Sequence, residues 1–451
     1  YTVRLSQAVA NIGSGSVRAT GSVGRDLDLD LDIERLPVAL ANAFVPGLNA
    51  TGDVSGTARA TGTLARPQAT FQLAGGNLAA APLRQSGVDT VALDIAGAYR
   101  DDALTLERGD IRAGGGTLNV SGTVGDTLDL QLAMQQLPLA LANAASPTLG
   151  AQGTLSGTAR ATGSLSAPTA TFDINGANIS VAASRAAGAP SASLAAAGDF
   201  RDETVALRTA RIDLSGGGSI VATGSAGRRL NLDVTLSDVP ASIAAAAAPD
   251  VAPQGTIGGN IQARGTIANP DVTYDMRVGG LSLAQTREAG VGPLDVAARG
   301  TYAQNQVTLD GSLSGSGIAF NADGSVNLAG TPAFDLALNG NAPLSLANRI
   351  LAEGGRSIQG DVSVNARVSG TAANPNVTGT VSTSGARFVD TGINLAVENI
   401  NTTIALSGDR ATINAFSANL GSGGSINVAG GVGLGAGFPA DISVTIRDGR
   451  Y

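Results

Sequence analysis

The sequence predicts an all-β protein: an elongated, curled antiparallel sheet built from one unit written four times, with one short helix per unit of roughly a hundred residues. Three observations lead there. The first is a repeated signature. It runs Gly56-Thr-Ala-Arg-Ala-Thr-Gly62 to Pro67, returns from Gly157 through Gly163 to Pro168, again from Gly259 through Gly265 to Pro270, and a fourth time from Val364 through Gly370 to Pro375. A near-constant period marks one structural unit stacked on copies of itself rather than four unrelated globules. The second is period-2 alternation, and the third is a recurring set of tight-turn signals between the alternating arms.

The repeat sets the domain organisation. Residues 1–35 end a preceding repeat, 36–136, 137–238 and 239–341 are the first three, and 342–451 hold the fourth and the start of another, all as one continuous solenoid-like domain. Leu27, Leu29, Leu31 and Ile33 interleave with Asp28, Asp30 and Asp32, which places aliphatics on one side of a strand and carboxylates on the other. Leu128, Leu130 and Leu132 repeat the pattern, as do Leu230, Leu232, Val234 and Leu236, then Phe334, Leu336 and Leu338, and near the end Ile442, Val444 and Ile446. One wet face and one dry face argue for antiparallel pairing, since buried parallel strands are apolar on both sides.

Polar pairs punctuate the arms. Asp101-Asp102, Asp202-Glu203, Gln304-Asn305 and Gly408-Asp409 fall where hairpin tips are needed. Glycine clusters follow, at 114–116, 216–218, 315 and 317, and 423–424, and are expected to bend or bulge the strands. The helix is expected where Leu36, Leu40 and Phe44 form a stripe behind Pro37, with Leu137, Leu141 and Ala145, Val239, Ile243 and Ala247, and Ala342, Leu346 and Ile350 as counterparts. At about eleven residues per strand and turn, the chain would hold roughly 40 strands and reach roughly 190 Å at about 4.8 Å per strand, or half that if split between two walls.

Composition excludes most chemistry. The 451 residues contain no His and no Cys, and every basic residue is Arg. That removes imidazole triads, Cys–His pairs, thiolate or imidazole zinc sites, the Walker lysine and Schiff bases. The paired acids read as solvated turn residues, and the glycines 431–437 as loop glycines without the βαβ setting of a phosphate cradle. Neither an enzyme nor a resident cofactor or metal is expected. A net charge of −8 argues against nucleic acid. No apolar run is long enough to span a bilayer, and a chain running from Tyr1 to Tyr451 reads as a piece of a longer protein.

Hydrophobic residues make up 43% of the chain but aromatics only 3%, so the apolar surface is spread thin. A filled core between two sheets is the plain alternative. A single core seldom extends beyond about 250–300 residues, so a one-sided sheet of this length must close on itself or stay open as a lined trough. The candidate lining is Leu27, Leu29, Leu31, Ile33, Leu128, Leu130, Leu132, Leu230, Leu232, Val234, Leu236, Phe334, Leu336 and Leu338, a surface suited to phospholipid acyl chains.

Leu36-Pro-Val-Ala-Leu40-Ala-Asn42, leading to Gly52-Asp-Val-Ser-Gly56 and the turn from Gly62 to Pro67, resembles the TamB family of AsmA-like inter-membrane bridge proteins. Leu137 to Asn143 with Gly153 to Pro168 repeats that text, and Asp441 to Tyr451 is similar to the family's later portion. The likeness weakens at Ser242-Ile-Ala-Ala and returns at Leu346-Ala-Asn348. The resemblance implies a β-taco with a greasy groove in the periplasm of a diderm bacterium. Such a protein is anchored in the inner membrane outside this segment and reaches towards an Omp85-type, TamA-like outer-membrane barrel. It further implies phospholipid movement and support of outer-membrane protein assembly. The alternatives are a periplasmic scaffold that offers strand edges to unfolded outer-membrane proteins by β-augmentation, and an adhesive β-solenoid of the autotransporter kind.

Overall fold

Alternating sequence of this kind buries one face per strand and leaves the other in water, so the chain folds as hairpin after hairpin. The computed structural model describes residues 2–449 except 44, 46, 187, 247, 248, 372 and 435–438. Phe44 and Ala247 of the expected helix stripes, Gly435 and Gly437 of the loop glycines, and both terminal tyrosines lie outside the described residues. Among the described residues, twenty-eight strands, paired antiparallel, account for 70% against 11% helix. The sheet therefore carries the fold, and the expected all-β, antiparallel architecture is what the structure shows.

The chain forms two compact units, Tyr1–Arg228 and Arg229–Tyr451. In the first, each of fourteen strands pairs with its neighbour in sequence, from Val3–Ile12 to Ser219–Ala226. The second is a similar meander from Leu230–Pro240 to Ala440–Arg447, with one departure. The four-residue strand Arg356–Gln359 stands outside the run and pairs with the far end of Pro375–Asp390. The strand count is below the forty anticipated because the arms commonly run ten to fourteen residues before a turn is added.

The hairpin tips are where the sequence put them. Asp101 and Asp102 have φ of 51° and 58°, Asp202 and Glu203 49° and 58°, and Gln304 and Asn305 50° and 61°. Two successive positive φ values are the mirror-image turn that matches strand twist, and short polar side chains tolerate it best. The glycine clusters behave differently from expectation. Gly114 and Gly115 close a hairpin between Ala103–Ala113 and Gly116–Val124 rather than bending a strand. Bending falls to lone glycines inside strands. At Gly157, φ is 141° and a Cβ would lie 2.2 Å from the Asp173 carbonyl oxygen on the next strand. No side chain fits that approach, and the strand is free to crease there.

The rim elements also depart from the expected helix. Leu36 and Pro37 end the strand Asp26–Pro37, and a single 3₁₀ segment, Val38–Ala43, follows. Leu40 is 43% exposed and Ile350 of the fourth copy 81%, so neither packs its stripe on the sheet. An i, i+4 apolar pair straddling a strand end imitates a helical stripe without forming one. Each of the first three copies adds a second short helix, Ala81–Gln85, Ala182–Ala186 and Ala284–Glu288. The two rim segments are tied together: Ala81 N–H donates to the Leu48 carbonyl at 2.8 Å, and the Arg84 and Arg185 guanidiniums donate to the Asn49 and Gly150 carbonyls at 2.9 and 2.8 Å.

The Leu-Ala-Asn text has a mechanical meaning. Asn143 spans Ala151 as a strand neighbour would, its amide donating to the carbonyl at 3.1 Å and its oxygen accepting from the N–H at 2.7 Å. Asn42 does the same to Ala50, and Asn348 to Ile358. The third copy has Ala245 in that place and lacks the bridge.

Candidate functional site

Register decides whether the aliphatic stretches form one surface or several. In the first unit they form one. A single row of directly paired residues crosses all fourteen strands: Ala8, Ala19, Leu31, Ala58, Phe71, Gly97, Leu106, Gly122, Leu130, Ala161, Ala170, Phe200, Val205 and Ala226. In the second unit a row runs Leu236, Gly259, Met276, Ala298, Gly311, Ala322, Leu338, Ala366, Gly379, Leu406, Ala411, Val432 and Ala440. No polar residue interrupts either row. Because side chains alternate with period two, the residues flanking these rows by two belong to the same face. Leu27, Leu29, Leu31, Ile33, Leu128, Leu130 and Leu132 therefore share one face of the first unit. Leu230, Leu232, Val234, Leu236, Phe334, Leu336 and Leu338 share one face of the second.

That face is neither buried nor bare. All fourteen of the residues just named are half-buried. Among the described residues, the fully buried apolar ones are mostly alanines, and no large side chain is sealed from solvent. Area makes the same point. A filled globule of this mass would expose about 15,500 Å² and two of half the mass about 18,700 Å², whereas the protein exposes 25308 Å². The surface is therefore larger than that of one or two compact globules of this mass.

The repeated signature turns out to be a strand with two different faces. In Thr51–Thr63 the residues Gly56, Ala58, Ala60 and Gly62 sit on the aliphatic side, opposite Ile33, Leu31, Leu29 and Leu27. Large thus stands against small across this strand pair, which keeps the apolar surface shallow there and leaves room above the small residues. The intervening Thr57, Arg59 and Thr61 face the other way. There Arg59 reaches Asp28 at 2.9 Å, Arg160 meets Asp129 at 3.0 Å, Arg264 meets Asp233 at 2.9 Å, and Arg367 pairs with Asp335. These pairs are about half exposed and screened by water, so they add little to stability. They fix which side is wet more than they stabilise the fold. Arg367 hydrogen-bonds the Asp335 carboxylate and holds its pKa below the ordinary value, and Asp129 raises that of Arg160 in the same way.

Three aromatic residues that were not singled out from the sequence mark a repeated device. Phe71 stands opposite Gly97, Phe172 opposite Gly198 and Tyr274 opposite Gly300. A Cβ on Gly198 would come within 2.8 Å of the Phe172 ring, so the ring lies over the glycine and shields a backbone that has no side chain of its own. The Tyr274 hydroxyl also donates to the Thr308 carbonyl at 2.7 Å, and partial burial raises its pKa. The fourth copy exchanges the partners, with Gly379 opposite Leu406.

Concavities lie on both faces, as a twisted sheet is saddle-shaped. Two on the charged side of the first unit, of about 600 and 550 Å³, occupy equivalent places, one around Thr158, Arg160 and Thr171 and the other around Thr57, Arg59 and Thr70. On the aliphatic side of the second unit a cavity of about 490 Å³ is walled by Leu344, Ile358, Phe388, Ile400 and Phe416 among others, with no polar surface. No group of three or more carboxylates is placed to hold a metal ion among the described residues. No protein-family model matches the chain, and no curated protein is similar enough to count as a relative.

Proposed function

We propose that the aliphatic face carries phospholipid acyl chains between the inner and outer membranes of a diderm bacterium, without chemistry, as a bridge that supports outer-membrane biogenesis. One observation carries this reading: in each unit an apolar row crosses the meander without a polar break, and the large side chains on that face stay partly exposed. Burying a sixteen-carbon chain at about 0.8 kcal/mol per methylene is worth on the order of 10 kcal/mol, and contact along one side only is worth about half of that. Such an affinity holds a lipid yet lets it leave. Rows of similar residues also offer many positions of nearly equal energy, which favours sliding over trapping.

The resemblance to the TamB family supplies the setting: the periplasm, an anchor in the inner membrane and an Omp85-type barrel at the other end. The test is lipid transfer between vesicles tethered by the full-length protein carrying Leu232→Arg or Leu336→Arg. Each places a guanidinium on the apolar face beside the row, and transfer should fall severalfold with far-ultraviolet circular dichroism unchanged. Transfer at the unaltered rate by both folded variants would rule the reading out.

A further inference from the structure

The fourth copy is built differently from the other three, and the difference supplies part of the wall of the apolar cavity. In the first copy, Arg66–Ala79 is joined to Val91–Arg100 through the rim helix Ala81–Gln85. In the fourth, the corresponding strands lengthen to Pro375–Asp390 and Leu395–Gly408, and a tight turn replaces the helix. Their overhanging ends carry the extra strand Arg356–Gln359. Several contacts fix this extension. Asn348 bridges Ile358, Thr391 donates to the Gly355 carbonyl at 2.8 Å, and Arg356 donates to the nearly buried Asp390 carboxylate at 2.8 Å.

Ile358 from the extra strand and Phe388 and Val397 from the lengthened pair close around Ile400, Phe416 and Leu344. The volume, about 490 Å³, falls within the usual range of small-molecule pockets, roughly 300–1,000 Å³.

We infer that this cavity is a discrete resting site for one acyl chain of a phospholipid, distinct from the shallow rows on which chains slide. The inference rests on the lipid-carrying reading above and adds a location and a stoichiometry to it. The occupant follows from the wall. Without a polar atom facing the space, a peptide strand or helix end would leave its N–H and C=O groups unpaired, whereas a hydrocarbon chain has nothing to satisfy. Charge complementarity selects a lipid among hydrocarbons. Arg356 lies two residues from Ile358 on the same side of the extra strand, and its guanidinium is half exposed, where a phosphate headgroup would emerge. Among the described residues the other copies have no such strand.

The chain contains no Trp, so single reporters are clean. Phe388→Trp in the cavity and Leu132→Trp on the apolar face of the first unit are titrated, each in the 451-residue chain, with phosphatidylglycerol brominated on one acyl chain. The cavity reporter should be quenched saturably, at one lipid per chain, at concentrations that leave the row reporter unquenched. Val428→Phe, which grows a ring into the cavity, should weaken that quenching by about tenfold or more with circular dichroism unchanged. Parallel quenching of both reporters, or quenching untouched by Val428→Phe, overturns the resting site and leaves the lipid reading standing. Quenching of neither reporter overturns both.

Discussion

Gly157 is the sharpest test of how the sheet is bent. Its φ of 141° lies where L residues pay strain, and an added Cβ would sit 2.2 Å from the Asp173 carbonyl oxygen and 2.7 Å from the Ile174 Cα. Both neighbours are backbone in a paired strand, so nothing can rotate out of the way. Backbone strain of about 1–3 kcal/mol adds to overpacking of similar size, and Gly157→Ala should cost about 3 kcal/mol. For a unit of this length each kcal/mol lowers the melting temperature by roughly 2–4 °C, so the expected fall is about 6–12 °C. Gly76→Ala is the matched control: it is exposed, lies in a strand of the same unit, and its Cβ would meet nothing within 4 Å. Reduced freedom of the unfolded chain should leave that variant unchanged or slightly stabilised, by about 0.4–1 kcal/mol. Thermal melts followed by circular dichroism compare the two. Equal midpoints would show that the crease at Gly157 is not forced and would refute the bending account.

Two further predictions concern the rim. Asn143→Ala removes both hydrogen bonds to Ala151, whose backbone is then buried and unpaired, and should cost about 1–3 kcal/mol in urea denaturation. The corresponding change at Ala245, Ala245→Ser, should be nearly silent, because the third copy has no bridge to lose. Asp390 has its pKa lowered chiefly by its hydrogen bond from Arg356. A carboxylate depressed in the folded state contributes stability above its ordinary value near 3.8 and loses it as pH falls through the lowered one. Asp390→Asn should therefore flatten the acid limb of the stability profile, and an acid limb as steep as before would show that the Arg356 contact contributes nothing.

Much of this was legible in the residues, for a physical reason. Alternation with period two determines side-chain orientation locally, so Leu27 to Ile33 and their counterparts could be assigned to one face before any strand was paired. The polar tips at Asp101-Asp102 and Gln304-Asn305 were legible too, because two adjacent positive φ values suit few residue types. What could not be read is whatever depends on the partner strand. Phe172 over Gly198 joins residues twenty-six apart that only register brings opposite each other. The signature from Gly56 to Gly62 announced the repeat, but its meaning, small residues against leucines on one side and Arg against Asp on the other, needed the neighbouring strand. Leu36 and Leu40 misled because a strand end followed by a tight turn can mimic helical spacing. The extra strand Arg356–Gln359 gave no signal, being short and without alternation long enough to count.

Lipid retained on the purified full-length protein tests the central claim most directly. Native mass spectrometry in a mild detergent should find phospholipid bound to the unaltered protein, and substantially less bound to Leu132→Arg and Leu336→Arg. Protein free of lipid, or equally loaded whether or not the apolar rows carry a charge, would contradict the account.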